Sequence, residues 1–339
     1  MKRGILPVLV AVVLVGVMLT GGCVSAPRQT AGAEAGVYHV GILNGGQNFF
    51  TDTETGFKAK MTELGYVEGR NIIYDTQRMD FNLTGYRKAA QKFRDEKVDL
   101  IFVFPTEAAR MVKAETGGTG IPVVFANCFT EDTGLVDSVR QPGGNNTGVR
   151  WGGPDLALER YGVMRELVPK ASRMFMPYQR GIAITKSQTE AVHRKASADG
   201  IVLVDIPADN ATELKARLEE KAASVDNRTD AILMIAEPLL VTPEGFAVVA
   251  RFAADHRIPL GGAYISAGGF ESLYGIATLS GPQGRQAAVL ADKIFRGEPA
   301  GTIPVVTAEN YFQLSYRAAR NQGLNVSEVL LNRADQIIR

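Results

Sequence analysis

From residue 37 onward, short apolar runs alternate with stretches whose apolar residues recur at helical spacing, the pattern of βαβ units on parallel sheets. Residues 37–43 predict a buried strand and 44–50 a loop. Phe57, Met61 and Leu64 then share one helical face, which Gly65 ends and Asp52 or Thr53 would cap. A second cycle predicts a strand at 72–74 and a helix with the apolar stripe Leu83, Tyr86, Ala90 and Phe93. The third places a strand at 100–104 that turns into a helix ending near Glu115, followed by a strand at 122–125.

Turn formers crowd residues 142–148, Pro-Gly-Gly-Asn-Asn-Thr-Gly, which reads as a crossing into a second series of the same kind. That series predicts helices at 155–168 and 188–198, a strand at 202–206, a helix at 212–224, a strand at 231–235 and a helix at 243–256. One strand stays open between 174–178, which holds Pro177, and 181–185. The earlier segment is preferred, leaving 178–181 as the loop that follows it. Two such α/β lobes form a cleft lined by the loops at the carboxyl ends of their strands.

The N-terminus departs from this pattern. Lys2 and Arg3 precede an uncharged run, 4–22, whose apolar core at 5–19 is shorter than the ~20 residues of a membrane span. The reading is a secretion signal, with a span as the alternative. Leu19-Thr20-Gly21-Gly22-Cys23 resembles a bacterial lipobox, in which small residues precede a cysteine that receives lipid. The usual aliphatic residue three places before the cysteine is Thr20 here. Residues 24–36 are small, polar and without period, which suits a tether.

Composition narrows the chemistry. The chain has 339 residues, 45% of them hydrophobic, and 37 Lys+Arg against 36 Asp+Glu leave no basic excess for a nucleic acid. Once Cys23 is lipidated, Cys128 has no partner for a disulfide. His39, His193 and His256 stand apart in the sequence, so no metal site is expected. Nucleophile-elbow, phosphate-loop and dinucleotide fingerprints are missing, so no cofactor and no catalytic residue is nominated.

Several segments occur together in the order Gly56-Phe57, Leu64-Gly65-Tyr66, Asp99-Leu100-Ile101, 121–125, 142–149 and Asp230-Ala231-Ile232. Gly284-Arg285-Gln286-Ala287-Ala288, Arg296-Gly297-Glu298-Pro299, 319–324 and 334–338 follow. In this the chain resembles the ABC-transporter substrate-binding protein family whose better-studied members take up aromatic amino acids. The resemblance implies an α/β fold of two doubly wound parallel-sheet lobes joined by a three-crossing hinge, the periplasmic binding protein type I architecture. The expected organisation is a signal at 1–22, a tether at 23–36, one lobe from 37–146 with 268–302, and another from 147–267 with 303–339.

The function it implies is a receptor anchored through lipid on Cys23 at the extracytoplasmic side of the cell envelope. It would act as a monomer, capture a small polar solute such as an amino acid, and present it to an ABC permease with its ATPase. A receptor feeding a sensor kinase and an enzyme using the same cleft are the alternatives.

Ligand-binding nominations follow the strand ends. Asn44, Gly45, Gly46 and Gln47 come after the first strand, where glycines let a ligand approach backbone N–H groups. Thr106 and Glu107 open a helix whose N–H groups could hold a carboxylate, and the family resemblance carries a Thr-x-Ala-Ala segment matching Thr106, Ala108 and Ala109. Asn127 ends the next strand. In the second lobe Glu237 could neutralise an ammonium, although relatives have an Asp-Asn-like pair where this chain has Glu237-Pro238. Tyr264 and Tyr178 offer aromatic faces, whereas Trp151 reads as packing at the hinge.

Overall fold

The computed structural model describes residues 36–339, so the expected signal, Cys23 and residues 24–35 of the tether lie outside the described residues. The first series runs β1 (Tyr38–Asn44), α1 (Thr51–Glu63), β2 (Ile72–Arg78), α2 (Leu83–Asp95), β3 (Leu100–Phe104), α3 (Thr106–Thr116), β4 (Val123–Cys128) and β5 (Asn146–Arg150). β3, the run LIFVF, is buried throughout because helices cover both faces of its sheet. α2 buries Tyr86, Ala89, Ala90 and Phe93 and is capped by the Asn82 side chain on the Gly85 N–H, while Leu83, at its first turn, is exposed. α1 differs from expectation at its start: Phe50 is the cap residue, and neither Asp52 nor Thr53 serves.

The second series runs α4 (Gly153–Leu167), β6 (Arg173–Gln179), α5 (Ala183–Ala198), β7 (Val202–Ala208), α6 (Ala211–Glu219), β8 (Asp230–Met234), α7 (Pro238–Val241), α8 (Pro243–His256) and β9 (Leu260–Gly262). A ribbon of β10 (Ser266–Ala267) and β11 (Phe270–Glu271) leads to β12 (Tyr274–Thr278). α9 (Ser280–Phe295), β13 (Val306–Thr307), β14 (Asn310–Ser315), α10 (Tyr316–Asn321), α11 (Glu328–Arg333) and β15 (Gln336–Ile338) complete the chain. Pro177 does lie inside β6. It pairs with Ile206 of β7, beyond Phe175 where the pairing with β8 stops, so its missing N–H leaves no gap in that ladder.

Two sheets result. The first is parallel, in the order β13-β5-β4-β3-β1-β2; the second follows β15-β14-β12-β9-β8-β6-β7, in which β12 and β14 pair antiparallel, and β10 and β11 form a separate antiparallel ribbon. The chain passes between the sheets after Arg150, after Thr278 and after Thr307. Each crossing leaves the carboxyl end of a parallel strand, so the carboxyl edges of both sheets border the same space.

The crossings correct three boundaries. The glycine-rich 142–148 stretch is not the first crossing: its end, from Asn146, is already strand β5, paired with β4 in the first sheet. Residues 268–278, assigned to the first lobe, belong to the second through β12, and β13, assigned to the second lobe, pairs with β5 in the first. Turn-forming composition marked the approach to a crossing, but strand pairing decided on which side of it each segment lies.

α9 returns to the first lobe and packs on α1 with almost no space between the backbones. A Cβ at Gly56 would collide with the Gly281 carbonyl, and one at Gly284 with the Thr53 carbonyl. We expect Gly284→Ala to lower unfolding free energy by about 1–3 kcal/mol through overpacking. Gly281→Ala, whose Cβ would meet only ordinary contact, should leave stability unchanged or slightly raised. Urea denaturation of both variants checks this, and equal effects would refute it.

Candidate functional site

At the first sheet's carboxyl edge, the segment after β1 is closed upon itself. The Gly45 N–H donates to the Phe104 carbonyl at 2.8 Å, and the Gly46 N–H to Asn44 Oδ1 at 3.2 Å, while Asn44 Nδ2 donates to the Gln47 carbonyl. Side chains at Gly45 or Gly46 would strike Pro105, Tyr86 or Phe50. Asn44, Gly45 and Gly46 therefore build a turn packed against protein, and Gln47 alone of the four is exposed.

Thr106 is the first residue of α3 and buried; its hydroxyl accepts the Phe129 N–H at 3.0 Å and so fixes the segment after β4. Glu107 is exposed. Asn127 stands where the β4–β5 register shifts, with a left-handed φ of 50°, a local irregularity of the kind that re-aims a side chain. It is 1% exposed, and its amide donates to Thr53 Oγ1 at 2.6 Å, leaving Oδ1 without a partner among the described residues. Thr130 Oγ1 and Trp151 Nε1 are likewise buried and unpartnered. Trp151 packs edge-on against Phe129 at 4.6 Å beside the first crossing.

In the second lobe, Glu237 follows β8 and is 4% exposed. Its carboxylate accepts the N–H groups of Leu240 (2.6 Å), Leu239 (2.9 Å) and Gln179 (3.1 Å), capping α7 and tying it to β6. Burial pushes its pKa up against these three donors. The half-buried Tyr264 follows β9. Burial pushes its hydroxyl up to about 12, against the opposing charge of the nearby Arg160. Tyr178 is not brought to this cluster: its hydroxyl lies beside Asp205 on edge strand β7.

Arg160, absent from the nominations, lies within this group. It is 2% exposed on α4, and its Nε donates to the Ile276 carbonyl at 2.8 Å and its Nη1 to Gln188 Oε1 at 3.2 Å. Burial lowers its pKa to about 10, so it stays charged at neutral pH. The sequence did carry a signal, for Leu156, Arg160, Met164 and Leu167 fall on one helical stripe, and a charge at a core position calls for a partner.

Two other features lie elsewhere. A cavity of about 900 Å³ opens at the amino-terminal edge of the second sheet, but the carboxylates lining it are engaged, Asp230 by Arg173, Glu271 by Arg317 and Glu166 by Arg333. His39, read as isolated, comes within 4.8 Å of Asp75 and Glu96 in the fold, where the Lys92 ammonium bridges both carboxylates.

A family profile described as ABC transporter substrate binding protein matches residues 47–338. A curated tyrosine-binding protein from Clostridioides difficile strain R20291 is 26% identical over 266 residues, spanning 75% of this chain and 71% of that protein. A ligand-free, open substrate binding protein with adhesive properties from Clostridium difficile superposes with a TM-score of 0.74 at 22% identity, covering 89% of this chain and 99% of that one. An ABC domain from Streptococcus pneumonia in complex with L-Trp does so with a TM-score of 0.69 at 19% identity, over 89% and 100% of the two chains.

The raised carboxyl of Glu237 makes a stability prediction. The folded state holds its proton more tightly than the unfolded chain, so this contribution is complete below pH 4.5 and fades as pH rises through the raised value. The melting temperature of wild type relative to Glu237→Gln should therefore be highest near pH 4.5 and fall toward pH 8, measured by scanning calorimetry. A difference that is flat or grows with pH refutes the assignment.

Proposed function

This chain belongs to the ABC transporter substrate binding protein family, and from that membership we propose that it captures a small polar solute between its lobes, closes over it about the three crossings, and presents it to an importing permease. It is a substrate-binding component of an ABC transporter, not an enzyme. The finer reading rests on one observation: both sheets turn their carboxyl edges to a shared space, and buried polar atoms from each lobe lack partners there among the described residues, Asn127 Oδ1 on one side and Thr185 Oγ1 on the other. Contacts from both lobes exist only in a closed form, which is how a ligand shifts an open-to-closed equilibrium.

An amino acid or similar zwitterion is the ligand class we favour, in keeping with the curated relative named for binding tyrosine. Asn127 and Tyr264 are the nominated residues that best fit direct contact. Thr106 and Glu237 shape the walls, since the Thr106 oxygen and both Glu237 oxygens already accept backbone N–H groups. No described helix is long and apolar enough to cross a membrane, and attachment through lipid on Cys23 would hold the receptor at the extracytoplasmic face.

Small-angle scattering of the purified chain, with and without the compound that native mass spectrometry finds bound to it, tests the capture. The radius of gyration should fall on binding and the compound should be released unchanged; no change in radius, or a chemically altered product, refutes the reading. Cell fractionation tests the anchor. Cys23→Ala should move the protein from the membrane to the soluble fraction, and unchanged membrane retention would argue against lipid on Cys23.

A further inference from the structure

A buried guanidinium normally has a carboxylate beside it, because removing an ion from water carries a penalty that a partner must offset. Arg160 has none. Among the described residues no carboxylate lies within ion-pair distance of it, and its chain neighbour Glu159 is directed instead to Arg333 at 3.5 Å and Asn310 at 2.9 Å. Glu237, near the same strand end, has both oxygens occupied by backbone N–H groups.

The guanidinium is nevertheless held in a fixed pose. Nε is fastened to the Ile276 carbonyl on β12, and Nη1 to Gln188 Oε1. Gln188 is itself locked: its Nε2 donates to the Ala236 carbonyl at 2.8 Å, and its Oε1 also accepts the Ala236 N–H at 3.2 Å. Ala236 lies just past the carboxyl end of β8, so this chain of bonds sets the guanidinium at the edge that borders the cleft, near Tyr264. A helical side chain also tilts toward its helix N-terminus, which for α4 is the end nearest the first crossing.

Of the five N–H bonds on the guanidinium, two are used. One on Nη1 and both on Nη2 remain, and these form the fork that fits the two oxygens of a carboxylate. A second observation points the same way. Thr185, one helical turn before Gln188 on α5, is 4% exposed and its hydroxyl has no protein partner.

We propose that Arg160 is the anion anchor of the cleft, that the captured solute bears a carboxylate which docks on its free fork, and that the Thr185 hydroxyl supplies a further donor. This rests on the capture of a solute between the lobes and assigns the residue that holds the carboxylate of the amino-acid-like ligand favoured above. It also reverses the sequence-based assignment, which placed the carboxylate at Thr106 in the first lobe.

The test compares matched probes by thermal shift and then calorimetry: L-tyrosine and L-tryptophan, their carboxamides, tyramine and tryptamine, 3-(4-hydroxyphenyl)propanoate, other amino acids, and neutral sugars and polyols. Carboxylate-bearing compounds should bind wild type, whereas the carboxamides and the decarboxylated amines should bind at least about 30-fold more weakly. Arg160→Gln should lose the same factor toward the acid, with Arg160→Lys, which keeps the charge without the fork, intermediate. Circular dichroism confirms that both variants fold. If a carboxamide matches its acid, or if only sugars or polyols bind, the anchor is refuted while capture between the lobes stands. If no probe binds wild type and no compound co-purifies, the capture reading falls and the anchor with it.

Discussion

Arg150 sits where the chain first leaves the first sheet, and its contacts hold the crossings together. Its guanidinium pairs with Glu131 and reaches Asp155 of α4 at 3.4 Å and Thr307 Oγ1 at 3.2 Å, while its own carbonyl accepts the Ala308 N–H at 2.7 Å. One residue thus ties the first crossing to the third and the first lobe to the start of the second. The Arg150–Asp155 pair is solvent-exposed on the acidic side and adds little energy by itself. Its effect is geometric, because side-by-side crossings keep both carboxyl edges turned to the same space.

The two edges use polar groups differently. In the first lobe, the turn after β1 spends its N–H groups on protein, and the left-handed Asn127 carries the free acceptor. In the second, Glu237 resembles a ligand-binding carboxylate in the sequence yet serves as a helix cap, and the charge left over is the positive one on Arg160. A buried cation matched only by neutral acceptors is costly to hold in a folded chain, and a ligand anion is the natural compensation.

Close approach supplies the remaining constraint. The α1–α9 contact depends on Gly56 and Gly284, two of the residues that carried the resemblance to known proteins, and the collisions a Cβ would make give the physical reason glycine stands there. That contact brings residues 280–295 back to the first lobe after an excursion of well over 100 residues through the second. Gln283, on the same helix, accepts the Asn127 N–H at 3.2 Å and so links this packing to the cleft edge.

Much of the architecture was legible before any coordinates. Apolar runs such as LIFVF and helical stripes such as Tyr86, Ala90 and Phe93 define strands and helices because burial on a sheet or helix face has a fixed period. The alternation of those elements gave two α/β lobes, and the carboxyl-edge rule pointed to the space that their strand ends border. Periodicity says nothing about which partner a strand chooses, so the crossing points shifted from 142–148 to Arg150, from 267/268 to Thr278 and from 302/303 to Thr307. Nor can a residue's type reveal who already holds its hydrogen bonds. Only the folded chain could show that Glu237 is taken by three N–H groups and that Arg160 has no carboxylate partner among the described residues, since both facts depend on atoms brought together from segments far apart in sequence.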